Sequence, residues 1–393
     1  MPKRQRRILL ALGWYDYRLH EGIANYAVEH GWHLCPDATK EKVIPWGWEG
    51  DGILAWLGAG DDLAEFVLRA RKPTVDFSFR RPHLPFARVL VDHAGAARLV
   101  VDHFLSRGLK NFLFYSDIEN WAFEEYGRAF VRAVEKAGQA CQWLCWQRSP
   151  AFSSGRLQWK HKRRWLADQL KQAPKPAALV AATDDHAVEA LETCESSGLA
   201  VPEQISILGA DNSLRAVDAM HTPISSVDTN LQLLGYRGAA LLNDLMNGKP
   251  APREPVRVPV AGLITRKSSD LIAIPHPGIA RSLRLMLEHC DEPIGVQDLA
   301  RAAAMSLRGF HQAFLEHVGR PPGHELQRFR IDRAKKLLAE SQQKMEVIGA
   351  MCGYRSSNSF WFAFKQATGL SPKEFRNTVA GQHALAGKPN RKG

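Results

Sequence analysis

Residues 348–376, IGAMCGYRSSNSFWFAFKQATGLSPKEFR, constrain the fold of this chain more tightly than any other stretch. An amphipathic helix runs up to Gly353, a residue type that tolerates the left-handed backbone needed for a sharp turn between helices. A second helix follows, in which Phe360 and Phe364 recur at helical spacing and face inward. These signals predict a helix-turn-helix unit, and a capping box at residues 371–374 predicts one further helix after it.

A similar pair of helices is predicted upstream, which makes a loose internal repeat. It begins near Val296, and Ser306 is a good amino-terminal cap for its second helix. Phe310 and Phe314 give that second helix an inward face. One long helix, beginning near His324, joins the two pairs. Two helix-turn-helix units on a rigid connection would place two reading helices on one face of DNA, roughly 34 Å apart.

Charge separates this region from the rest of the chain. Residues 281–393 carry 18 Lys and Arg residues against 10 Asp and Glu residues, which is +8 of the chain's net +11. A cationic domain of this kind neutralises DNA phosphates and releases their counterions on binding. A helical bundle with merely solvated polar faces is the alternative for either pair alone, but such a bundle has no reason for this asymmetry.

Residues 281–376 resemble the DNA-binding domain of the AraC/XylS family of bacterial regulators. The most specific matching positions, in order, are Ile348-Gly349, Gly353-Tyr354, Phe360, Phe364-Lys365, Gly369, Ser371-Pro372 and Arg376. The sequence departs from the family at Gly349, where alanine is usual, and at Ala304, where glycine is frequent. The resemblance implies an all-α domain with two helix-turn-helix motifs that binds double-stranded operator DNA at tandem half-sites.

Residue types and helical spacing nominate the side chains that contact DNA. Because arginine suits guanine and glutamine suits adenine in bidentate contacts, the predicted base readers of the first unit are Arg308, His311 and Gln312. In the second unit, the positions that the family turns toward the groove are Ser357, Asn358, Ser359 and Trp361. Contacts with phosphates are predicted for Lys365, Arg330, Lys373 and Arg376. The alternative for Trp361 and Phe362 is packing against another protein surface.

The residues before this region alternate short apolar runs with amphipathic stretches. The predicted strands are residues 7–13, 52–57, 73–79, 88–91, 111–115, 178–182 and 205–209. Such alternation predicts an α/β domain with parallel sheets and helices on both faces. The first strand leads into Gly13-Trp14-Tyr15-Asp16 rather than a glycine-rich phosphate loop, and the chain has no Walker lysine, which disfavours a nucleotide-binding enzyme.

Polar and aromatic residues follow the predicted strands at the edge where ligands bind in α/β sheets. They are Trp14, Tyr15, Asp16, Asp184, Asp211 and Asn212. Carboxylates and amides satisfy the paired donor and acceptor roles of sugar hydroxyls, while a flat ring covers the apolar face of the sugar. Amino-terminal capping of the helices that follow is the alternative for Asp184 and Asp211.

Three segments resemble the sensor domain of LacI/GalR regulators, namely residues 178–191, 201–213 and 222–242. The resemblance implies a two-lobed fold like that of periplasmic sugar-binding proteins, in which Asp184 and Asp211 contact sugar hydroxyls. Residues 89–101 match the family's mid-sensor motif, with His93 where asparagine is more usual. The family's sugar-gripping arginine would fall at Tyr126, so the ligand can differ from a common hexose.

A sensor of this type followed, rather than preceded, by an AraC-type domain resembles a group of bacterial pentose-operon regulators. Matching details are Tyr15-Asp16, Trp121-Ala122 and residues 351–354. This resemblance implies a sugar-dependent activator that forms a homodimer, contacts RNA polymerase and takes D-xylose, or another pentose close to it, as effector. We also place Trp121 and Glu124 at the ligand cleft, with partly exposed helix surface as the alternative. An α/β sugar-processing enzyme with a fused helical module is the second candidate function.

The sequence also predicts the domain boundaries, and its residue usage bears on enzyme activity, metal binding and membrane contact. The sensor spans residues 1–272, a linker with two prolines spans 273–280, the DNA-binding domain spans 281–380 and a flexible tail spans 381–393. The chain has no recognised catalytic motif, and its six cysteines form no CxxC pair, so no enzyme activity, metal or cofactor is expected. No stretch approaches the roughly 20 apolar residues that cross a bilayer, which predicts a cytoplasmic protein without membrane contact.

Overall fold

The computed structural model describes residues 5–36, 43–58, 60–117, 121–152, 155–213, 221–271, 274, 276–341 and 343–376. The chain forms two compact units. The first is built from Met1–Val101 and Asn111–Ser269, and the second from Asp102–Lys110 and Asp270–Lys388. The predicted tail, residues 381–393, lies outside the described residues.

The first unit contains two six-stranded sheets. Their strands, in chain order, are β1 (Arg7–Leu12), β2 (His33–Cys35), β3 (Gly52–Trp56), β4 (Thr74–Asp76), β5 (Ala87–Val91), β6 (Asn111–Ser116), β7 (Cys141–Cys145), β8 (Ala177–Ala181), β9 (Ile205–Ala210), β10 (Ser225–Asp228), β11 (Val256–Val258) and β12 (Gly262–Ile264). One sheet has the order β11-β5-β4-β3-β1-β2 and the other β12-β10-β9-β8-β6-β7.

Every described strand pairing is parallel except that of β10 with β12. In the first sheet Leu9 lies beside Ile53, and in the second Leu113 lies beside Leu179. Parallel strands need crossover connections, and helices supply most of them here. The predicted α/β architecture with parallel sheets is confirmed.

Helices cover the sheets, and the central strands are therefore buried on both faces. All five residues of β8 and all six of β9 are buried, which is why an uninterrupted apolar run predicted them. The strands that the sequence analysis missed are short or half-polar, as in the exposed-to-buried pattern of β2 and the partly exposed β12. The helices of this unit are α1 (Tyr17–Glu29), α2 (Asp61–Ala70), α3 (His93–Leu105), α4 (Trp121–Lys136), α5 (Gln158–Gln172), α6 (Asp184–Ser196) and α7 (Leu231–Met246).

Helices α1 and α7 pack with their backbones in contact. A Cβ atom at Gly22 would lie 1.9 Å from the Gln232 carbonyl oxygen, and one at Gly235 would lie 2.1 Å from the Leu19 carbonyl oxygen. Only glycine fits at these two positions. This contact fixes α1, whose amino-terminal end carries one of the predicted sugar-binding residues.

The second unit is helical and has two hydrophobic cores. Its helices are α8 (Pro277–His289), α9 (Val296–Ala302), α10 (Leu307–Val318), α11 (Pro322–Glu340), α12 (Met345–Met351) and α13 (Ser357–Thr368). Phe310 and Phe314 are completely buried in the first core, and Phe360 and Phe364 are buried in the second. The two predicted helix pairs, α9 with α10 and α12 with α13, are confirmed.

One predicted boundary needs correction. Helix α8 begins at Pro277, so residues 277–280 form its first turn and do not belong to a linker. The His276 imidazole caps this helix by accepting a 3.3 Å hydrogen bond from the Ile279 N–H, and proline fits the first helical position. Helix α11 begins at Pro322, two residues before His324, near which its start was predicted.

The predicted capping box after the second helix pair is present. The Ser371 N–H donates to Glu374 Oε2 at 2.7 Å, and the Glu374 N–H donates to Ser371 Oγ at 3.2 Å. Residues 372–376 are helical. Among the described residues, no helix is long and apolar enough to span a bilayer.

Candidate nucleic-acid interface and ligand site

The first helix pair exposes the side chains predicted to read bases. Phe310 and Phe314 are completely buried, and the Ser306 hydroxyl accepts a 3.2 Å hydrogen bond from the backbone of the third following residue. This cap and the two rings fix the rotation of α10, so its opposite face points away from the core. The exposed residues on that face are Arg308, His311, Gln312 and Leu315. Within the described parts of the chain, Arg308 and Gln312 have no hydrogen-bond partner, which leaves both groups available to bases.

The second helix pair repeats this arrangement. Phe360 and Phe364 are buried in α13, and the Ser356 hydroxyl caps the helix. The exposed residues on the opposite face are Ser357, Asn358, Ser359, Trp361, Phe362 and Lys365. All the positions predicted to face a DNA groove in this unit are therefore on the surface.

Aromatic groups dominate the exposed face of α13. The Lys365 ammonium lies 4.8 Å from the Trp361 ring centroid, a cation–π contact. The Phe362 ring packs edge-on against Trp361, with centroids 5.2 Å apart, and remains 68 % exposed. The Ser359 hydroxyl lies 2.8 Å from that of the capping serine, so it belongs to the cap. This face presents the Asn358 amide and two large rings where α10 presents an arginine and a glutamine.

Two of the predicted phosphate contacts are committed to the protein itself. Arg330 donates to three backbone carbonyls of the segment between α8 and α9, at 3.0, 2.7 and 2.8 Å. Arg376 donates to the Gln343 carbonyl at 2.6 Å. Three of the five N–H groups of Arg330 therefore already serve the backbone, and a phosphate contact by Arg330 stays a prediction. Lys365 and Lys373 remain exposed cations.

In the sensor, Arg18 brings three predicted sugar-binding positions together at the carboxyl ends of β1 and β9. Its guanidinium pairs with Asp16, with Nη2 and Oδ2 2.9 Å apart. Its Nη1 donates to the backbone carbonyls of Asp211 and Asn212 at 2.7 and 3.2 Å. Asp16 also caps α1 by accepting from the Arg18 N–H at 2.9 Å. Sequence reasoning missed Arg18, because its carbonyl partners lie 193 and 194 residues away.

Asp211 is held in a strained conformation at the end of β9. Asp211 and Asn212 have φ values of 93° and 49°, in the left-handed region that Asp and Asn tolerate best among non-glycine residues. Burial raises the pKa of the Asp211 carboxyl, although the charges of Arg18 and His93 oppose the rise. Its Oδ1 accepts a long hydrogen bond, 3.4 Å, from Thr229 Oγ1. This carboxyl therefore has capacity left to accept from a ligand hydroxyl.

Asp184 and Asn212 bind the same serine. Ser226 Oγ donates to Asp184 Oδ1 at 2.6 Å and accepts from the Asn212 N–H at 3.0 Å, while Asp184 Oδ2 accepts from the Ser213 N–H at 2.7 Å. Burial raises the pKa of Asp184 to about 7. Thr183, and not Asp184, is the amino-terminal cap of α6, so the capping alternative for Asp184 is wrong. Asp184 Oδ2 thus holds the loop after β9 directly, and Oδ1 holds it through Ser226 of β10.

Tyr126 occupies the position at which the LacI/GalR resemblance places an arginine. The residue is 4 % exposed, and its hydroxyl has no hydrogen-bond partner among the described residues. Burial, followed by the charges of Asp211 and Asp184, raises its pKa, so the hydroxyl lies within electrostatic reach of both carboxyl groups. Its ring centroid is 5.5 Å from that of His93. A buried O–H group without a partner is unfavourable by about 1–3 kcal/mol, which a ligand acceptor would offset.

Glu124 was predicted to lie at the ligand cleft, but the carboxylate that contacts His93 belongs to its neighbour, Glu125. The Glu125 carboxylate lies 3.0 Å from His93 Nδ1 and 2.6 Å from Arg257 Nη2. Although burial opposes the change, these two partners hold the pKa of Glu125 at about 2. Glu124 instead forms ion pairs with two partly exposed arginines, Arg128 and Arg148. The sequence offered no local signal for Glu125, because its partners come from other elements of the unit.

The indole rings of Trp56 and Trp121 lie beside Gly58, just after β3, and the Trp14 ring packs on that of Trp56. The Trp14 and Trp56 ring centroids are 4.6 Å apart, and a Cβ atom at Gly58 would lie 2.9 Å from Trp56 Nε1 and 3.7 Å from Trp121 Cζ2. Trp56 was not predicted, because it lies inside the predicted strand 52–57 and its ring partner Trp14 comes from elsewhere in the unit. Tyr15 is half-exposed and bonds a histidine of α1 at 3.0 Å. Flat rings, together with the buried carboxyl groups that the same unit provides, suit a polyol.

Comparisons with known proteins agree with both predicted parts of the chain, the sensor and the helix-turn-helix region. A periplasmic binding protein-like domain model matches residues 101–269, and a helix-turn-helix domain model matches residues 299–378. The Xylose operon regulatory protein of Escherichia coli (strain K12) is 27 % identical, over 95 % of this chain and 97 % of that protein. The protein of the same name from Haemophilus influenzae is 27 % identical, over 92 % of this chain and 95 % of its own length. The chain is a transcription regulator.

The regulator also resembles a solved structure along most of its length. That structure, of a xylose-binding transcription activator, covers 96 % of this chain and 99 % of its own, with a TM-score of 0.59 and 24 % identity. The regulator thus joins a periplasmic-binding-protein-like sensor to a helix-turn-helix domain. The sugar-processing enzyme, our second candidate, finds no support among these relatives.

Proposed function

We propose that the regulator binds D-xylose, or a pentose close to it, and that the bound sugar changes its affinity for tandem operator half-sites. The names of the two full-length relatives and of the similar activator support the sugar. The observation that carries the proposal is the Tyr126 hydroxyl, which is buried, has no partner among the described residues and belongs to a ring packed beside His93. This set offers a donor and acceptors to a ring of hydroxyls.

The indoles complete the ligand site. Trp14, Trp56 and Trp121 offer flat apolar surfaces, as the C–H face of a pyranose requires. Arg18 and Asp16 form the polar edge on the side of α1. We assign the ligand contacts to Trp14, Tyr15, Asp16, Trp121 and Asp211, together with Tyr126. Asp184 and Asn212 position the loop that carries Asp211.

Calorimetry against a panel of sugars tests the ligand. The full chain is titrated with D-xylose, L-arabinose, D-ribose and D-glucose, and D-xylose is expected to bind most tightly. Tyr126→Phe removes one buried hydrogen bond and is expected to weaken D-xylose binding about tenfold. Tyr236→Phe is the matched control, because the Tyr236 hydroxyl bonds Glu29 at 2.8 Å on the α1–α7 surface. Failure of all four sugars, or wild-type affinity in Tyr126→Phe, would contradict the assignment.

On DNA, we propose that the first helix pair reads bases with Arg308, His311 and Gln312. For the second pair we propose Ser357, Asn358, Ser359 and Trp361 as groove contacts and Lys365 as a phosphate contact. Fluorescence anisotropy with promoter fragments against scrambled duplexes at moderate salt tests this proposal. Equal affinity for both kinds of duplex would contradict sequence-specific reading.

We further propose a cytoplasmic homodimer that activates transcription by contacting RNA polymerase. Tandem half-sites favour a dimer, since two copies then occupy a longer operator. Light scattering with and without D-xylose measures the oligomeric state, and transcription in vitro measures activation. A monomer on operator DNA, or transcription that falls on adding D-xylose, would contradict these assignments.

A further inference from the structure

The two helix pairs do not share a hydrophobic core. Leu326 and Phe329 of α11 pack in the first core, whereas Ile331, Ala334 and Leu338 of the same helix pack in the second. Among the described residues, α11 is the only helix that contributes to both cores. The relative placement of α10 and α13 therefore depends on α11 and on the polar contacts around it.

Arg330 on α11 contacts both the segment that precedes the first helix pair and the turn within the second helix pair. Its Nε donates to the Cys290 carbonyl at 3.0 Å, and its Nη2 donates to those of Glu292 and Ile294 at 2.7 and 2.8 Å. These carbonyls belong to the segment between α8 and α9. The guanidinium also lies 5.6 Å from the ring centroid of Tyr354, in the turn between α12 and α13.

The turn of the second pair is pressed against the same carbonyls. Gly353 has a φ of 73°, and a Cβ atom there would lie 2.4 Å from the Glu292 oxygen and 2.8 Å from Arg330 Nε. Both the backbone conformation and the close approach require glycine. Three parts of the unit, namely the α8–α9 segment, α11 and the α12–α13 turn, thus meet at one guanidinium.

Arg333 makes a second connection on the same face of α11, one turn along the helix. Its Nε donates to the Met351 carbonyl at 3.0 Å, at the end of α12. Its Nη2 pairs with Asp291 Oδ2 at 3.0 Å, in the α8–α9 segment. Each of the two arginines therefore contacts both helix pairs or the segments next to them.

We propose that Arg330 and Arg333 are positioning residues that hold the two reading helices at a fixed spacing, and so set the half-site spacing that the regulator accepts. Arginine suits this role because its rigid fork directs several N–H groups at fixed angles, which a lysine cannot do. The proposal rests on DNA reading by both pairs. It assigns Arg330 a role in spacing and none in phosphate binding.

The test varies the spacer of the operator. The full chain first selects a high-affinity duplex from a random pool, and anisotropy then compares that duplex with copies whose spacer is one base pair longer or shorter. The wild type is expected to prefer its own spacer by about tenfold, and Arg330→Met is expected to bring this ratio close to one. Arg330→Lys keeps the charge but not the fork and is expected to resemble Arg330→Met.

The salt dependence separates positioning from phosphate contact. Losing one phosphate contact would lower the slope of log K against log salt by about 0.9, whereas a positioning residue leaves the slope unchanged. Arg301→Met is the control for charge, because Asp298 of the same helix is the one ion-pair partner that Arg301 has among the described residues. It is expected to leave the spacer ratio as in the wild type.

A variant with a smaller structural change keeps the proposal testable if Arg330→Met does not fold. Asp291→Asn weakens only the Arg333 pair, whose partners are both partly exposed, and is expected to reduce the spacer ratio less than Arg330→Met does. Circular dichroism verifies that each variant is folded. A wild-type spacer ratio in folded Arg330→Met, or a lower salt slope with an unchanged ratio, would overturn the proposal. A wild type without any spacer preference would instead overturn reading by two pairs, on which the proposal rests.

Discussion

The two helix-turn-helix units have the same scaffold but different surfaces. Each reading helix begins at a capping serine, buries two phenylalanines four residues apart and ends at a left-handed glycine, Gly319 or Gly369. The outward faces share none of this similarity. The first presents Arg308, with a histidine and a glutamine, and the second presents a tryptophan and a phenylalanine.

This difference shows which positions are set by folding and which are open to recognition. Caps, inward rings and terminal glycines are fixed by the geometry of a helix on a core, so both units need them. The outward positions have no such demand and are free to match different bases. The two half-sites should therefore differ, with guanine or adenine read by the first unit and thymine methyl groups contacted by the second.

Removing an inward ring from each unit gives the largest expected effect. Phe314→Ala and Phe364→Ala each delete a completely buried ring, so each should lower the free energy of unfolding by about 3–5 kcal/mol. Denaturant unfolding measures the loss. Near-neutral behaviour of either variant would show that its core is not packed as described, and Phe362→Ala, on the exposed face of α13, is the matched control.

Replacing one proposed base reader in each unit tests whether the two surfaces contact bases in different half-sites. Arg308→Ala and Asn358→Ala should each weaken operator binding by about 1–3 kcal/mol and relax sequence preference at positions in different half-sites. Selection of bound duplexes by each variant reveals the relaxed positions. Relaxation in the same half-site for both variants would show that the two units do not read different half-sites.

Substitutions in the turns of the two units are expected to change the stability of the protein in opposite directions. Ala304 has a φ of 57°, which costs an alanine about 1–2 kcal/mol, so Ala304→Gly should stabilise the protein by up to about 1 kcal/mol. Gly353→Ala should destabilise it, because the new Cβ would meet the Glu292 carbonyl oxygen at 2.4 Å. Thermal unfolding of both variants measures this. Stabilisation by Gly353→Ala would contradict the close approach.

The structure explains why glycine stands at position 349, where the AraC/XylS family usually has alanine. A Cβ atom at this position would lie 3.2 Å from three atoms of Phe360, closer than ordinary van der Waals contact. Glycine lets the ring of α13 sit directly against α12. The sequence showed that the family's usual alanine was missing, but not which neighbour takes up the space.

Most of the helices and strands could be predicted from local sequence patterns. Helix pairs follow from spacing of about 3.6 residues and from capping serines, and the central strands follow from runs that are buried on both faces. Contacts between distant segments could not be read in this way. Arg18, Glu125 and Trp56 were missed because their partners come from elsewhere in the fold, and the backbone contacts of Arg330 were missed because its carbonyl partners lie 36 to 40 residues away.

If a sugar and an operator act on the same regulator, binding at one site must change the affinity at the other. D-xylose is titrated into the regulator alone and into the regulator saturated with its selected operator. Coupling between the two sites requires the sugar affinity to change by the same factor as the DNA affinity does, about 5- to 150-fold. An identical D-xylose affinity with and without operator would contradict the account.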